Sequence, residues 1–277
     1  MNSFGARAPM KDYKRQFDIF ICSGSQHVRM LIPLLRKLQP YGKVHLASCV
    51  LSNADLNQMR GLYDLLHTPS HSEDGYLNFE LFSIRDINRL ATAPYFVKLD
   101  ADVHLEPDWI EYVEESIAAH PDAVLFGPRK GNNDITFTLS GALVRQLLQR
   151  DIRVANARKV TGGFYVGKTS FFKEHQRFMD VVHELMWCYK DGIRYRPNIN
   201  PEYWPPEGEE SSEPITLIGR SENFQGNEDL LRSLVVHAVG AGDRLHVFDS
   251  QGRVRIDRSN TLNPEGSGLQ PDAKANS

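Results

Sequence analysis

The run Tyr95-Phe96-Val97-Lys98-Leu99-Asp100-Ala101-Asp102 is a short apolar stretch of strand length that ends in two carboxylates spaced i, i+2. Side chains two apart on a strand share a face, so both acids point the same way, and Lys98 has the same parity. A pair of hard oxygen ligands at the carboxyl edge of a sheet suits a divalent cation, and that cation in turn suits a diphosphate. The same acids would also serve simply to end the strand, because Pro107-Asp108-Trp109 opens a helix nearby.

At 277 residues, 41% hydrophobic and 24% charged, the chain can bury a sizeable core as one α/β domain or two small ones. A net charge of -3 argues against nucleic acid as the main partner. Cys22, Cys49 and Cys188 lie far apart without metal-ligand spacing and read as reduced structural thiols. The first sixteen residues carry Arg7, Lys11, Lys14 and Arg15 but no apolar core of a signal peptide. No run approaches the ~18 apolar residues of a transmembrane segment, so a cytoplasmic location is expected.

Strand and helix patterns alternate through the first half. Residues 17–22 predict a strand, Ser23-Gly24-Ser25 a turn that can bring backbone donors close to a ligand, and 27–38 a helix disturbed by Pro33. A strand over 43–51, helices over 53–66 and 83–93, the strand ending at Asp100, a helix over 107–119 and a strand over 123–126 follow. Repeated β-α-β units with short apolar strands imply a mostly parallel sheet. The second half is less regular: helix 139–151, strand 163–166, helical material over 170–189, a Pro- and Glu-rich loop over 191–223, helix 227–239 and strand 245–248. The last residues are rich in Asn, Pro, Gly and Ser and predict a disordered tail.

Three segments in order carry a family likeness: 91–102 with its Asp-x-Asp, Thr161-Gly162-Gly163-Phe164-Tyr165-Val166, and Gly226-Asn227-Glu228-Asp229-Leu230-Leu231-Arg232. Together they resemble the GT-A class of glycosyltransferases, closest to its inverting family 2-like group and to relatives with a Gly-x-Glu-Asp motif. The likeness implies a single Rossmann-like domain with a central, mostly parallel sheet. Residues 1–16 would be an extension, 17–130 the nucleotide-sugar half, 131–250 a less regular acceptor-binding half, and 251–277 a flexible tail. It also implies a nucleotide-sugar donor, with UDP expected because it is the commonest base in the class, and Mn²⁺ or Mg²⁺ as cofactor.

The roles follow from the same likeness. Asp102 would ligate the metal directly, Asp100 would touch the ribose or reach the metal through water, and His246 would be a further ligand, with His237 second. A buried, hydrogen-bonded histidine is the alternative for both. Asp229 would be the general base, with Glu228 as the other candidate and as an acceptor contact. Acids in a first helical turn also complement the helix dipole, so both could be only that. Cys22, Ser23 and Gly24 replace the family's usual early segment at the donor site, and Asp55 stands for its later ribose-holding acid. Arg85, Lys98 and Ala101 join them as donor contacts, while Gly162, Gly163 and Trp204 fall to the acceptor. Lys98 could instead pair with Asp100, and aromatic residues such as Trp204 and Trp187 are as readily core.

The acceptor is a sugar, glycan or small natural product left open by these residues. Glu207, Glu209, Glu210 and Glu213 would favour one carrying an amine, or form only a solvated face. A homodimer is a further expectation. Other classes share the sheet-and-acid logic: a sugar-phosphate nucleotidyltransferase, for which Ser23-Gly24-Ser25-Gln26-His27 makes a poor triphosphate loop, and a sugar-nucleotide-binding protein without turnover.

Overall fold

The computed structural model describes residues 16–23, 28–48, 51–67, 87–101, 103–128, 135–160, 163–180, 189–190, 193–194, 216–220, 227–248 and 254–256. Strands β1 (Phe17–Ser23), β2 (Lys43–Ser48), β3 (Leu65–His67), β4 (Tyr95–Asp100), β6 (Leu125–Pro128), β9 (Phe164–Lys168) and β13 (Leu245–Phe248) form a seven-stranded sheet in the order β13-β6-β9-β4-β1-β2-β3. Only β9 runs against its neighbours; β13 with β6, and β4 with β1, β2 and β3, are parallel pairs. The architecture is therefore α/β with a mostly parallel sheet, as the alternating pattern predicts.

Both faces of the sheet are covered, which is why its strands read as continuous apolar runs. On one face α1 (Val28–Leu38) and α4 (Trp109–Ala119) bury Leu31, Leu35, Leu38, Trp109, Ile110 and Val113 against Ile19, Ile21, Val97, Leu99, Phe164 and Val166. Pro33 sits within α1 on its exposed side. On the other face α3 (Ile87–Leu90), α6 (Thr169–Glu174) and α7 (Asn227–Ala238) cover Phe20, Phe96 and Tyr165 with Ile87, Phe171, Phe172, Leu234 and Val235. The packing is close: a Cβ on Gly167 would lie 2.2 Å from Phe96 Cζ, so this β9 position admits only glycine while that ring stays in place.

Several elements depart from the sequence expectation. The helix expected over 53–66 stops at Gln58, as α2 (Asn53–Gln58), and the chain turns through Gly61 into edge strand β3. Where a helix is expected over 139–151, β7 (Ile135–Ser140) runs first and α5 (Ala142–Leu148) is short. With β8 (Ile152–Ala157) and β12 (Thr216–Arg220), β7 makes a separate antiparallel sheet in the order β12-β7-β8. A two-stranded ribbon pairs β10 (Tyr189–Lys190) with β11 (Ile193–Arg194). Residues 254–256, placed in the flexible tail by sequence, instead form β14 (Val254–Ile256), antiparallel to β5 (Val103–Leu105). That correction matters for the site, because β5 immediately follows the Asp-x-Asp motif.

Candidate active site at the carboxyl edge of the sheet

Strand register gathers residues from separate motifs at one sheet edge. Cys22 near the end of β1 stands opposite Asp100 at the end of β4, and Ser23 opposite Ser48 at the end of β2. On the other side of β4, the Asp100 N–H donates to the Gly163 carbonyl at 2.9 Å. The Asp-x-Asp strand thus lies between the first strand on one side and Gly163 on the other, hydrogen-bonded to both. Gly163 and Ala101 are buried, as is Ser23.

Lys98 explains the polarity of this edge. Its side chain is 1% exposed, and its Nζ donates to Asp100 Oδ1 at 2.6 Å. Nζ also lies 6.0 Å from the centroid of the Tyr165 ring, its register partner on β9. A buried ammonium needs a carboxylate to offset its desolvation, so the pairing fixes the Asp100 rotamer while leaving that carboxylate 43% exposed. Of the two sequence readings of Lys98, ion pairing with Asp100 is the one observed.

Helix α7 brings the third motif to the same edge. After Gly240 (φ 81) the chain enters β13, which is parallel to β6, so α7 runs back against the strands and starts at their carboxyl ends. Glu228 and Asp229 occupy that first turn. One turn on, the Arg232 guanidinium is fully buried over β4 and β9, 4.9 Å from the Phe96 ring centroid and 5.6 Å from that of Tyr165. Its third aromatic neighbour is Phe172 at 4.7 Å, and Nη1 donates to Asn88 Oδ1 on α3. Burial pushes the Arg232 pKa down from its ordinary value, with the Tyr165 hydroxyl acting in the opposite sense.

His246 is not brought to this group. Its register partner on β6 is Phe126, which puts its side chain on the opposite face from Asp100 and three strands away, about 14 Å in strand spacings alone. There it stacks on His120 at 3.9 Å between ring centroids and packs edge-on to Phe126. Burial, and then the neighbouring His120, lower its pKa. In this position it makes a partly buried aromatic contact, on the face away from Asp100. His237 lies at the other end of the molecule's sheet, with Nε2 donating to the Arg158 carbonyl at 2.7 Å, beside a cavity of about 430 Å³ lined also by Val154 and Asp243.

Asp55 has a local task. Its Oδ2 accepts from the Ser52 N–H at 3.0 Å and the Ser52 hydroxyl at 2.7 Å while Ser52 Oγ accepts from the Asp55 N–H, a reciprocal capping box that starts α2. Asp102, Gly24, Arg85, Gly162 and Trp204 lie outside the described residues, as do the side chains of Cys22, Glu228 and Asp229.

Sequence reasoning missed a buried polar cluster on the face that carries Asp100. Asp18 of β1 is 1% exposed and accepts from the Thr92 N–H at 2.5 Å, the Ala93 N–H at 2.8 Å and His45 Nε2 at 3.1 Å. Burial alone would raise its pKa; the His45 hydrogen bond and the two backbone N–H groups outweigh that and bring it to about 2. His45 Nδ1 in turn meets His67 Nε2 at 3.1 Å, with the rings stacked. Burial first, then His45 and Lys43, lower the His67 pKa. The available signal was an acid inside an apolar strand, a residue that must be paired to be there.

The edge can therefore present a carboxylate held by a buried cation, backbone at Ser23 and Gly163, and the N-terminal turn of a helix. Among the described residues no three His, Cys, Asp or Glu side chains come together to hold a metal ion. Asp100, with one oxygen committed to Lys98, fits an indirect role, and a cation would need Asp102 as well.

No protein-family model and no curated protein matches the chain. Solved structures resemble it weakly. S. aureus TarS residues 1–349 in complex with UDP-GlcNAc has 10% identity and a TM-score of 0.38, covering 58% of this chain and 47% of that one. The glycosyltransferase GlyE of Streptococcus pneumoniae has 10% identity and a TM-score of 0.43, covering 85% and 46%. Mouse xyloside xylosyltransferase 1 has 11% identity and a TM-score of 0.44, covering 84% of each chain. The chain thus spans about half the length of the TarS and GlyE chains it resembles.

Proposed function

We propose that this chain is a metal-dependent glycosyltransferase, moving a sugar from a nucleotide-sugar donor of the UDP type to an acceptor hydroxyl with inversion. The reading rests on one observation: register and helix direction bring Asp100, Cys22, Gly163 and the first turn of α7 to the same sheet edge. A binding protein would need the first three; an acid-bearing turn beside them is what chemistry adds.

In this reading Asp102 ligates the cation and Asp100, oriented by Lys98, contacts the ribose or a cation-bound water. A bound divalent cation would neutralise the departing nucleoside diphosphate. Asp229 takes the proton of the acceptor hydroxyl as that oxygen bonds to the anomeric carbon and the bond to the diphosphate breaks on the opposite face. Gly162 and Gly163 admit the sugar close to the backbone, and Glu228 contacts the acceptor. Incubation with Mn²⁺ and a panel of sugar nucleotides should give slow release of one nucleoside diphosphate. Failure of every sugar nucleotide to bind or turn over would sink the reading.

A further inference from the structure

A buried guanidinium is an expensive choice where an apolar side chain of similar volume would pack, since exchanging buried ionic groups for hydrophobic ones is often neutral or stabilising. Arg232 is such a group. Its surroundings join five separate segments: Phe96 of β4, Tyr165 of β9, Phe172 of α6, Asn88 of α3 and Met179, whose Sδ lies 3.6 Å from Nη1. Asn88 is itself held by donating to the Phe172 carbonyl at 3.2 Å and to Met179 Sδ at 2.9 Å. The planar guanidinium can stack on rings and donate sideways at once, so it fixes the rotation of its helix as well as its depth, which an aliphatic side chain cannot.

Two further facts give this anchoring a direction. Arg232 lies one turn after Glu228 and Asp229, and its ring partner Tyr165 is the register partner of Lys98, which holds Asp100. Moving three residues back along α7 covers about 4.5 Å, and moving from Lys98 to Asp100 covers about 6.6 Å, both toward the carboxyl edge. We propose that Arg232 is a positioning residue for the transfer reaction: caged by Phe96, Tyr165 and Phe172 and bonded to Asn88, it fixes the first turn of α7 relative to Asp100. The inference rests on the transferase reading for its catalytic consequence, though the anchoring is measurable without it.

The test uses the full chain with Arg232→Met, Arg232→Lys and the double variant Asn88→Leu/Arg232→Met, which leaves no orphaned amide. Amide hydrogen exchange over 227–231 should speed up at least tenfold in both Met variants, relative to helical residues 234–238, and less in Arg232→Lys. Transfer rate per folded molecule should fall roughly thirtyfold or more with donor KM within about twofold, and Arg232→Lys should recover part of it. A double variant with wild-type exchange over 227–231 would overturn the anchoring whatever the activity. Faster exchange with an unchanged rate in an active enzyme would overturn the positioning role alone. Wild-type chain without any transfer would overturn the transferase reading, and the positioning role with it, while the exchange data still judged the anchor.

Discussion

Asp18 ties the stability of the fold to pH. Its carboxyl titrates at about 2 in the fold against an ordinary 3.8, so the folded state binds fewer protons than the unfolded chain between those values. The stabilisation is complete above the unfolded value and is lost as pH falls from about 4 toward 2, amounting to about 2 kcal/mol. Urea unfolding at pH 5 and pH 2.5 should register it, and Asp18→Asn should flatten the acid limb attributable to this group. An unchanged acid limb in that variant would assign the dependence to other carboxylates. Asp102 makes the complementary case for binding. Asp102→Asn should keep the fold yet remove most metal-dependent nucleotide affinity, because an amide lacks the charge that holds a cation. Calorimetric titration of UDP with Mn²⁺ decides it, and undiminished binding would remove Asp102 from the metal site.

At the scale of elements the decisive question is whether the first turn of α7 is chemistry or capping. If Asp229 is the base, Asp229→Asn should leave UDP and Mn²⁺ affinity nearly intact while turnover falls by roughly two to four orders of magnitude. If the acid only complements the helix dipole, stability drops by roughly 0.3–1 kcal/mol and activity per folded molecule stays. Melting temperature and transfer rate on one preparation separate the outcomes, and a retained anomeric configuration would dispense with this base altogether. The elements themselves were unevenly legible. The strand 95–100 and helix 109–119 could be read from length and periodicity, whereas the pairing of Asp55 with Ser52 that starts α2 was not read from the sequence. The place of His246 was not legible, because a sequence pattern does not carry strand order; the pairing of β13 with β6 puts it far from Asp100. Strand β3 escaped because three residues hold too little pattern, and Leu65 and Leu66 are half-exposed on an edge.

Across the whole molecule, residues remote in sequence close around the Asp-x-Asp segment. Thr92 and Ala93, just before β4, are held by Asp18 of β1; Asp100 is held by Lys98 and by Gly163; and β5, just after the motif, is held by β14 near the far end of the chain. The α1 residue Lys37 also donates to the Leu105 carbonyl, so β5 is tied on two sides. This arrangement predicts a sharp difference between two truncations. Ending the chain after residue 258 keeps β14 and should leave the melting temperature and UDP–Mn²⁺ affinity unchanged. Ending it after residue 250 removes the pairing of Val254 with Leu105 and Ile256 with Val103. A loss of one or two net backbone hydrogen bonds, about 1–2 kcal/mol, should then accompany roughly tenfold weaker nucleotide binding, because the strand that follows Asp102 no longer has its partner. Equal binding by the two truncated chains would show that α1 and the sheet core hold β5 without help, and that β14 has no part in nucleotide binding.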